Sequence, residues 1–167
     1  LFSPKDCVID IGNSSVNTID MEYNPQSSGG RIVILDDNNI ILSVGEYKNR
    51  YLSQDKQSIN GKIIKININN SNYEIFSMGH RNPQGLYYDE DNNFILETEH
   101  GPQGGDEINL IELDNIEIPN YGWAISSYGE HYGGKNLEAN KVKYEKYPLH
   151  KTHKKYGFIE PLHAFVP

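Results

Sequence analysis

Three short runs in this 167-residue chain carry more chemistry than turn formation needs. The first is Gly79-His80-Arg81-Asn82-Pro83-Gln84-Gly85, which packs a guanidinium, two amides and an imidazole between glycines. An arginine offers a rigid fork of donors that fits a carboxylate, and amides supply donors and acceptors side by side. The second is Glu99-His100-Gly101-Pro102-Gln103-Gly104-Gly105-Asp106-Glu107. Its glycines let backbone carbonyls approach a ligand, and its carboxylates suit a hard cation such as Ca2+. The third is Asn120-Tyr121-Gly122-Trp123, with Tyr128 and Tyr132 downstream, where polar-tipped aromatics gather near the only tryptophan. Each run also has a plain structural reading. Arg81 can pair with a surface carboxylate, residues 101–105 can be an ordinary loop, and Tyr121 and Trp123 can be core.

Other candidates are weaker. Asp89-x-Asp91-x-Asn93 resembles the opening of a Ca2+ loop, but it lacks the sixth-position glycine and the distal glutamate, so it reads as a hairpin turn. His150 and His153 sit three apart in a lysine-rich polar stretch and read as surface, not as metal ligands. Ser27-Ser28-Gly29-Gly30 precedes a strand, which argues against a phosphate cradle, because such a cradle opens onto a helix. Asn13-Ser14-Ser15 fits the glycosylation pattern.

The elements that must hold these runs are strands. Arg31-Ile32-Val33-Ile34-Leu35 and Ile40-Ile41-Leu42-Ser43-Val44 flank Asp36-Asp37-Asn38-Asn39, the pattern of a hairpin. It recurs as Gly85-Leu86-Tyr87-Tyr88 and Phe94-Ile95-Leu96 around residues 89–93. Asp37-Asn38-Asn39-Ile40-Ile41-Leu42 and Asp91-Asn92-Asn93-Phe94-Ile95-Leu96 agree at five of six positions. A third strand follows each hairpin, at residues 61–68 and 107–113, and residues 73–77 end the first unit. Four-stranded units repeating every 40–50 residues or so are the mark of propeller blades; a β-sandwich is the alternative. The chain holds roughly three such units, and a propeller needs about four blades to close. It is therefore expected to continue beyond Pro167 or to form an open ring, whose unpaired edge would invite association. Residues 135–156 are charged, weakly patterned and read as a surface excursion.

Composition excludes several classes of function. Fifteen Lys and Arg against 23 Asp and Glu give a net charge of −8, and the only basic run is the short segment 151–155. Binding a nucleic-acid backbone needs clustered basic residues, so no nucleic-acid partner is expected. No stretch approaches the roughly 20 apolar residues of a membrane-spanning helix. The single cysteine, Cys7, excludes an internal disulfide framework and any cysteine-based zinc site. The chain begins at Leu1, as a processed protein or a fragment would.

Taken in order, the runs resemble the glucose/sorbosone dehydrogenase family, soluble sugar dehydrogenases that use pyrroloquinoline quinone (PQQ). The resemblance opens at Gly29-Gly30-Arg31-Ile32-Val33 and passes through Ser43-Val44-Gly45-Glu46, Gln54-Asp55 and residues 61–66. It is strongest at residues 79–86, at residues 100–111 and at Asn120-Tyr121-Gly122-Trp123, and Glu160-Pro161-Leu162 resembles the start of a next blade. It implies an all-β, six-bladed propeller, of which residues 1–167 would be part of a single domain. It implies PQQ and Ca2+ as cofactors, a sugar or polyol substrate, and a periplasmic or secreted location. Cofactor contacts would come from Arg81, Asn82, Gln84, Gly101, Pro102 and Tyr132. Gly101 and Pro102 would offer carbonyls to the Ca2+ beside the quinone, and Glu107 and Tyr121 would hold a structural Ca2+. The family's catalytic histidine lies three residues before the Gly-Arg matched by Gly30-Arg31, and here that position is Ser27. Two readings follow: a PQQ- and Ca2+-dependent oxidoreductase, or a propeller that kept the scaffold without the chemistry. A third is a fragment that performs nothing alone.

Overall fold

The structure is a computed structural model describing residues 25–166. Cys7 and the Asn13-Ser14-Ser15 sequence lie outside the described residues.

The hairpins form as the sequence predicts. Strands β1 (Gly29–Ile34), β2 (Asn39–Val44), β3 (Lys62–Asn67) and β4 (Tyr73–Met78) make one antiparallel sheet in chain order. Strands β5 (Pro83–Asp89), β6 (Phe94–Glu99), β7 (Asp106–Glu112) and β8 (His163–Phe165) make a second. The two matching turns close by the same device, an aspartate carboxylate accepting from the chain that follows it. Asp36 accepts the Asn38 N–H at 2.8 Å and the Asn39 amide at 2.9 Å. Asp89 accepts both the backbone and side-chain N–H groups of Asn92 at 3.0 Å. The Asp89-x-Asp91-x-Asn93 stretch is thus a hairpin turn.

The sheets stack face to face. Alternation along each strand sends every second side chain to the same face. Ile41 of β2 and Ile63 of β3 meet Ile95 of β6 and Ile111 of β7, all fully buried, with Tyr121 packed onto them. Burying each isoleucine contributes about 1.5–3 kcal/mol. The same inward face of the second sheet changes character toward one end. Beyond Ile95 it carries Glu97 and Glu99, and before Ile111 it carries Glu107 and Asn109, all buried. One end of the interface is therefore apolar and the other polar.

Two expectations are corrected. Residues 160–162 do not open a new blade: the strand they lead into, β8, pairs with β7 and completes the second sheet. The edge of β7 has no partner until the chain returns to it. Nor is the 135–156 stretch only a surface excursion. Trp123, Ala124, Tyr147 and Leu149 form another apolar cluster, and His153, stacked on Tyr128, is fully buried. The stretch contributes one short helix, α1 (Lys141–Lys146). Among the described residues, two four-stranded sheets stand where the repeat suggested about three units. No helix among them is long and apolar enough to cross a membrane.

Candidate functional site

The three runs meet at the polar end of the sheet interface. Residues 119–123 lie alongside the end of β4: the Met78 N–H donates to the Pro119 carbonyl, Tyr121 N–H to Met78, and Trp123 N–H to Gly79, each at 2.9 Å. Gly79 has φ +78°, and a Cβ there would lie 2.2 Å from Asn120 Oδ1, so only glycine permits the approach. The 101–106 turn is pinned by Asp106, which accepts the Gly101 N–H at 2.9 Å. A Cβ on Gly101 would lie 2.0 Å from the Gly105 carbonyl oxygen, so the turn closes only on glycine.

Arg81 connects the runs. Its backbone N–H donates to Glu99 Oε2 at 2.5 Å, its Nη1 donates to the His100 carbonyl at 2.8 Å, and its guanidinium sits 5.6 Å from the centre of the Trp123 ring. Glu46 is buried on the same side, and burial pushes its pKa up against the opposing charges of Arg50 and Arg81.

Arg81, Gly101, Pro102, Glu107 and Tyr121 line one small cavity of about 10 Å3, together with Glu99. That is room for a single ion or water and nothing larger. Glu99 and Glu107 also border a wider cleft of about 590 Å3, with Arg31, Gln84, His100 and Asp106. That volume is in the range of small-molecule sites. Asn82 and Tyr132 line neither space. The Asn82 amide is buried; it accepts the Gly29 N–H at 3.1 Å and donates to the Gln26 carbonyl at 3.3 Å. It clamps the segment that carries Ser27. Tyr132 is 66% exposed. Ser27 is buried, its carbonyl accepting the Tyr47 N–H at 3.0 Å.

Glu97 and Asn109 were not singled out as site residues in the sequence; both are buried with His80 and Glu99, and His153, which the sequence reads as surface, is fully buried too. Burial, reinforced by the Glu99 carboxylate, holds both Glu97 and Glu107 well above the usual carboxylate range. His153 lies 4.0 Å from Glu107 and 3.8 Å from Glu160, and burial lowers its pKa. The signal for Glu97 and Glu99 was present in their spacing: both share the register of Ile95, two and four residues on, hence its face.

Stacked four-stranded antiparallel blades, with an oxygen-rich turn and an arginine at one end of their interface, define a propeller of the quinoprotein sugar dehydrogenase type. The chain belongs to the glucose/sorbosone dehydrogenase family, whose sequence model matches residues 16–166. It is 33% identical to the aldose sugar dehydrogenase YliI of Escherichia coli (strain K12) over 119 residues, 64% of this chain and 31% of that protein. It is 29% identical to quinoprotein glucose dehydrogenase B of Acinetobacter calcoaceticus over 147 residues, 67% of this chain and 30% of that protein. The crystal structure of the soluble Escherichia coli aldose sugar dehydrogenase, in its apo form, superposes with a TM-score of 0.63 at 29% identity, covering 82% of this chain and 39% of that one. The PQQ-bound aldose sugar dehydrogenase of Streptomyces coelicolor gives 0.52 at 32% identity, covering 65% and 33%. The chain thus spans about a third of the length of these relatives.

Proposed function

We propose that this chain is part of a PQQ- and Ca2+-dependent dehydrogenase that oxidises an aldose or related polyol outside the cytoplasmic membrane. The observation that supports it most is the ion-sized cavity lined by Arg81, Gly101, Pro102, Glu107 and Tyr121. Buried Glu107 lies beside Glu99, and burial, with their mutual repulsion, raises its pKa. A divalent cation relieves that repulsion, and carboxylate and carbonyl oxygens are the donors Ca2+ takes. The residues present therefore fit the metal. They fit the quinone as well, since a cleft of ligand size shares Glu99 and Glu107 with the cavity and carries Arg31 and Gln84.

PQQ, when bound, would supply the oxidising power for removing a hydride from C1 of the sugar, a reaction that also needs a base for the hydroxyl proton. This chain's residues bind and orient. Arg81 offers its guanidinium to a cofactor carboxylate or to developing charge on a ring oxygen. The Gly101 and Pro102 carbonyls would hold the cation; Glu107 and Tyr121, expected at a separate structural Ca2+, line the same cavity, where Glu107 would balance its charge. Gln84 would supply a contact in the cleft. Asn82 acts one step back, fixing the segment that carries Ser27.

A second reading has its own support. Ser27 stands where the family has its catalytic histidine, and a buried serine hydroxyl is a poor proton acceptor near neutral pH. General-base catalysis commonly supplies about 10²–10⁴-fold, so a scaffold that binds cofactor without turnover is the alternative. An equilibrium titration with PQQ, with and without Ca2+ and read by quinone absorbance, tests the cofactor site. Saturable, Ca2+-dependent binding is expected; no binding by this chain or by one extended past Pro167 overturns the proposal. Ser27→His then separates the two readings. Dye reduction with aldoses that rises about 100-fold marks an assembled site lacking only its base. No change speaks against that account.

A further inference from the structure

We propose that the buried pocket behind the ion-sized cavity is a second divalent-cation site, formed by His80, Glu97, Glu99 and Asn109 and suited to a first-row metal such as Zn2+ or Mn2+. It shares Glu99 with the lining of that cavity, uses none of Gly101, Pro102, Glu107 or Tyr121 as ligands, and does not depend on the cofactor.

The geometry is that of a coordination shell without its ion. His80 Nδ1 lies 3.3 Å from Glu99 Oε1 and 3.8 Å from Glu97 Oε2, and one ligand atom from each of the three residues falls within 4.8 Å of the others. Ligands about 2.0–2.1 Å from a tetrahedral ion sit roughly 3.3 Å apart. The three side chains are between 0% and 4% exposed. The elements hold them rigidly. Glu97 and Glu99 alternate along the inward face of β6, Asn109 opposes Glu97 on β7, and His80 follows the end of β4.

Two observations beyond the acidic cluster point to a cation. The buried side chain of Asn109 bridges the carboxylates, its Nδ2 2.9 Å from Glu97 Oε2 and 3.2 Å from Glu99 Oε1, while its Oδ1 has no hydrogen-bond partner. Amide oxygen and nitrogen are nearly the same shape, and their assignment follows the surrounding network. Turning the amide over presents Oδ1 to an ion at that point and completes a four-ligand set. Glu97 Oε1 is likewise buried without a partner. The groups that face Glu97 are Glu99, Glu107, Asn109 and the His80 imidazole, 3.8 Å away.

The shell behind the ligands is also in place. Ser77 Oγ lies 2.7 Å from His80 Nε2, and with the hydrogen on Nε2 it accepts that bond and leaves Nδ1 bare for a metal. Tyr121 stacks on the His80 ring at 5.0 Å. Glu99 divides its oxygens: Oε2 accepts the Arg81 N–H, and Oε1 faces the pocket. An imidazole with carboxylates favours a first-row ion, where an all-oxygen set would favour Ca2+.

The test uses the full 167-residue chain, stripped of metal and without PQQ. Calorimetric titration with Zn2+ alone should show one ion per chain at micromolar or tighter affinity, and millimolar Ca2+ should leave it bound. Glu97→Gln, an isosteric change that also removes a buried charge, should weaken the site at least tenfold, while Glu107→Gln leaves it within about twofold. Co2+ in place of Zn2+ reads the ligands without any variant: visible bands of a tetrahedral nitrogen–oxygen site are expected. Absence of one-to-one binding, displacement by equimolar Ca2+, Zn2+ affinity unchanged in Glu97→Gln, or a six-coordinate aqua-like Co2+ spectrum would each overturn the proposal.

Discussion

His131 packs edge-on against the Tyr144 ring, centroids 4.5 Å apart, and its Nε2 lies 2.8 Å from the Tyr147 carbonyl it donates to. Burial is the largest influence on its pKa and holds it down to about 4, with Arg50 and Lys143 pushing the same way. In the unfolded chain the ring takes its proton near 6.5. Between those values the unfolded chain binds more protons than the folded one, so the His131 contribution to stability falls as the pH falls from 6.5 towards 4. Above 6.5 it is fully present. Glu97 and Glu107 act in the opposite sense, because raised carboxyl groups keep their protons in the folded chain and favour it as the pH drops. The His131 effect is therefore read as a difference. Urea midpoints at pH 7 and pH 4.5 should drop more in wild type than in His131→Gln, which keeps an amide donor for Tyr147. A ring that titrates near 6.5 by NMR would contradict this.

At the scale of elements, the interface between the sheets separates stability from binding. Ile111 is fully buried at its apolar end, so Ile111→Ala should cost about 2–5 kcal/mol in chemical denaturation, with Ca2+-dependent PQQ affinity little changed in the folded fraction. Gly101→Ala acts at the polar end, where the new Cβ would meet the Gly105 carbonyl. It should lower that affinity at least tenfold by displacing the carbonyls of the turn. Equal losses of stability in the two variants would refute the division. The strands and their turns were legible because local chemistry decides them: Asp36 and Asp89 close matching hairpins, and β-branched runs flank both. The runs at 79–85, 99–107 and 120–123 were legible as a site through their unusual composition. What was not legible depends on distant pairing. Nothing local says that β8 returns to β7, or that residues 119–123 bond to the end of β4. Tyr147, Leu149 and His153 are isolated among lysines, so the packing of the first two with Trp123 and the burial of His153 have no periodic signature. Asn82 matched the family's cofactor contact by its motif, yet its amide is occupied by Gly29 and Gln26, a role only the folded chain reveals.

At the scale of the whole molecule, the faces where the two sheets meet are buried, and Val44, Ile59, Ile64 and Ile66 form a further buried cluster on the other side of the first sheet. Other apolar side chains stay bare. Ile32 and Ile34 of β1 are 55% and 75% exposed, Tyr87 of β5 61%, and Leu162 and Phe165 at the far edge 62% and 54%. Bare apolar side chains that form contiguous patches mark surfaces that associate. The net charge of −8 opposes association by mutual repulsion, but that repulsion is screened as salt shortens the Debye length from about 10 Å at 0.1 M to 3 Å at 1 M. Apolar contact is not weakened in the same way. The 167-residue chain should therefore self-associate at micromolar concentration, and more strongly as salt rises. Sedimentation velocity at 0.1 M and 1 M NaCl checks both parts. Replacing two of the bare apolar groups, in Tyr87→Lys with Phe165→Lys, should shift the distribution towards monomer even though it lowers the net charge to −6. A wild-type chain that sediments as a single monomer at both salt concentrations would show that these faces do not attract one another. Association that weakens with salt would show that charged groups drive it.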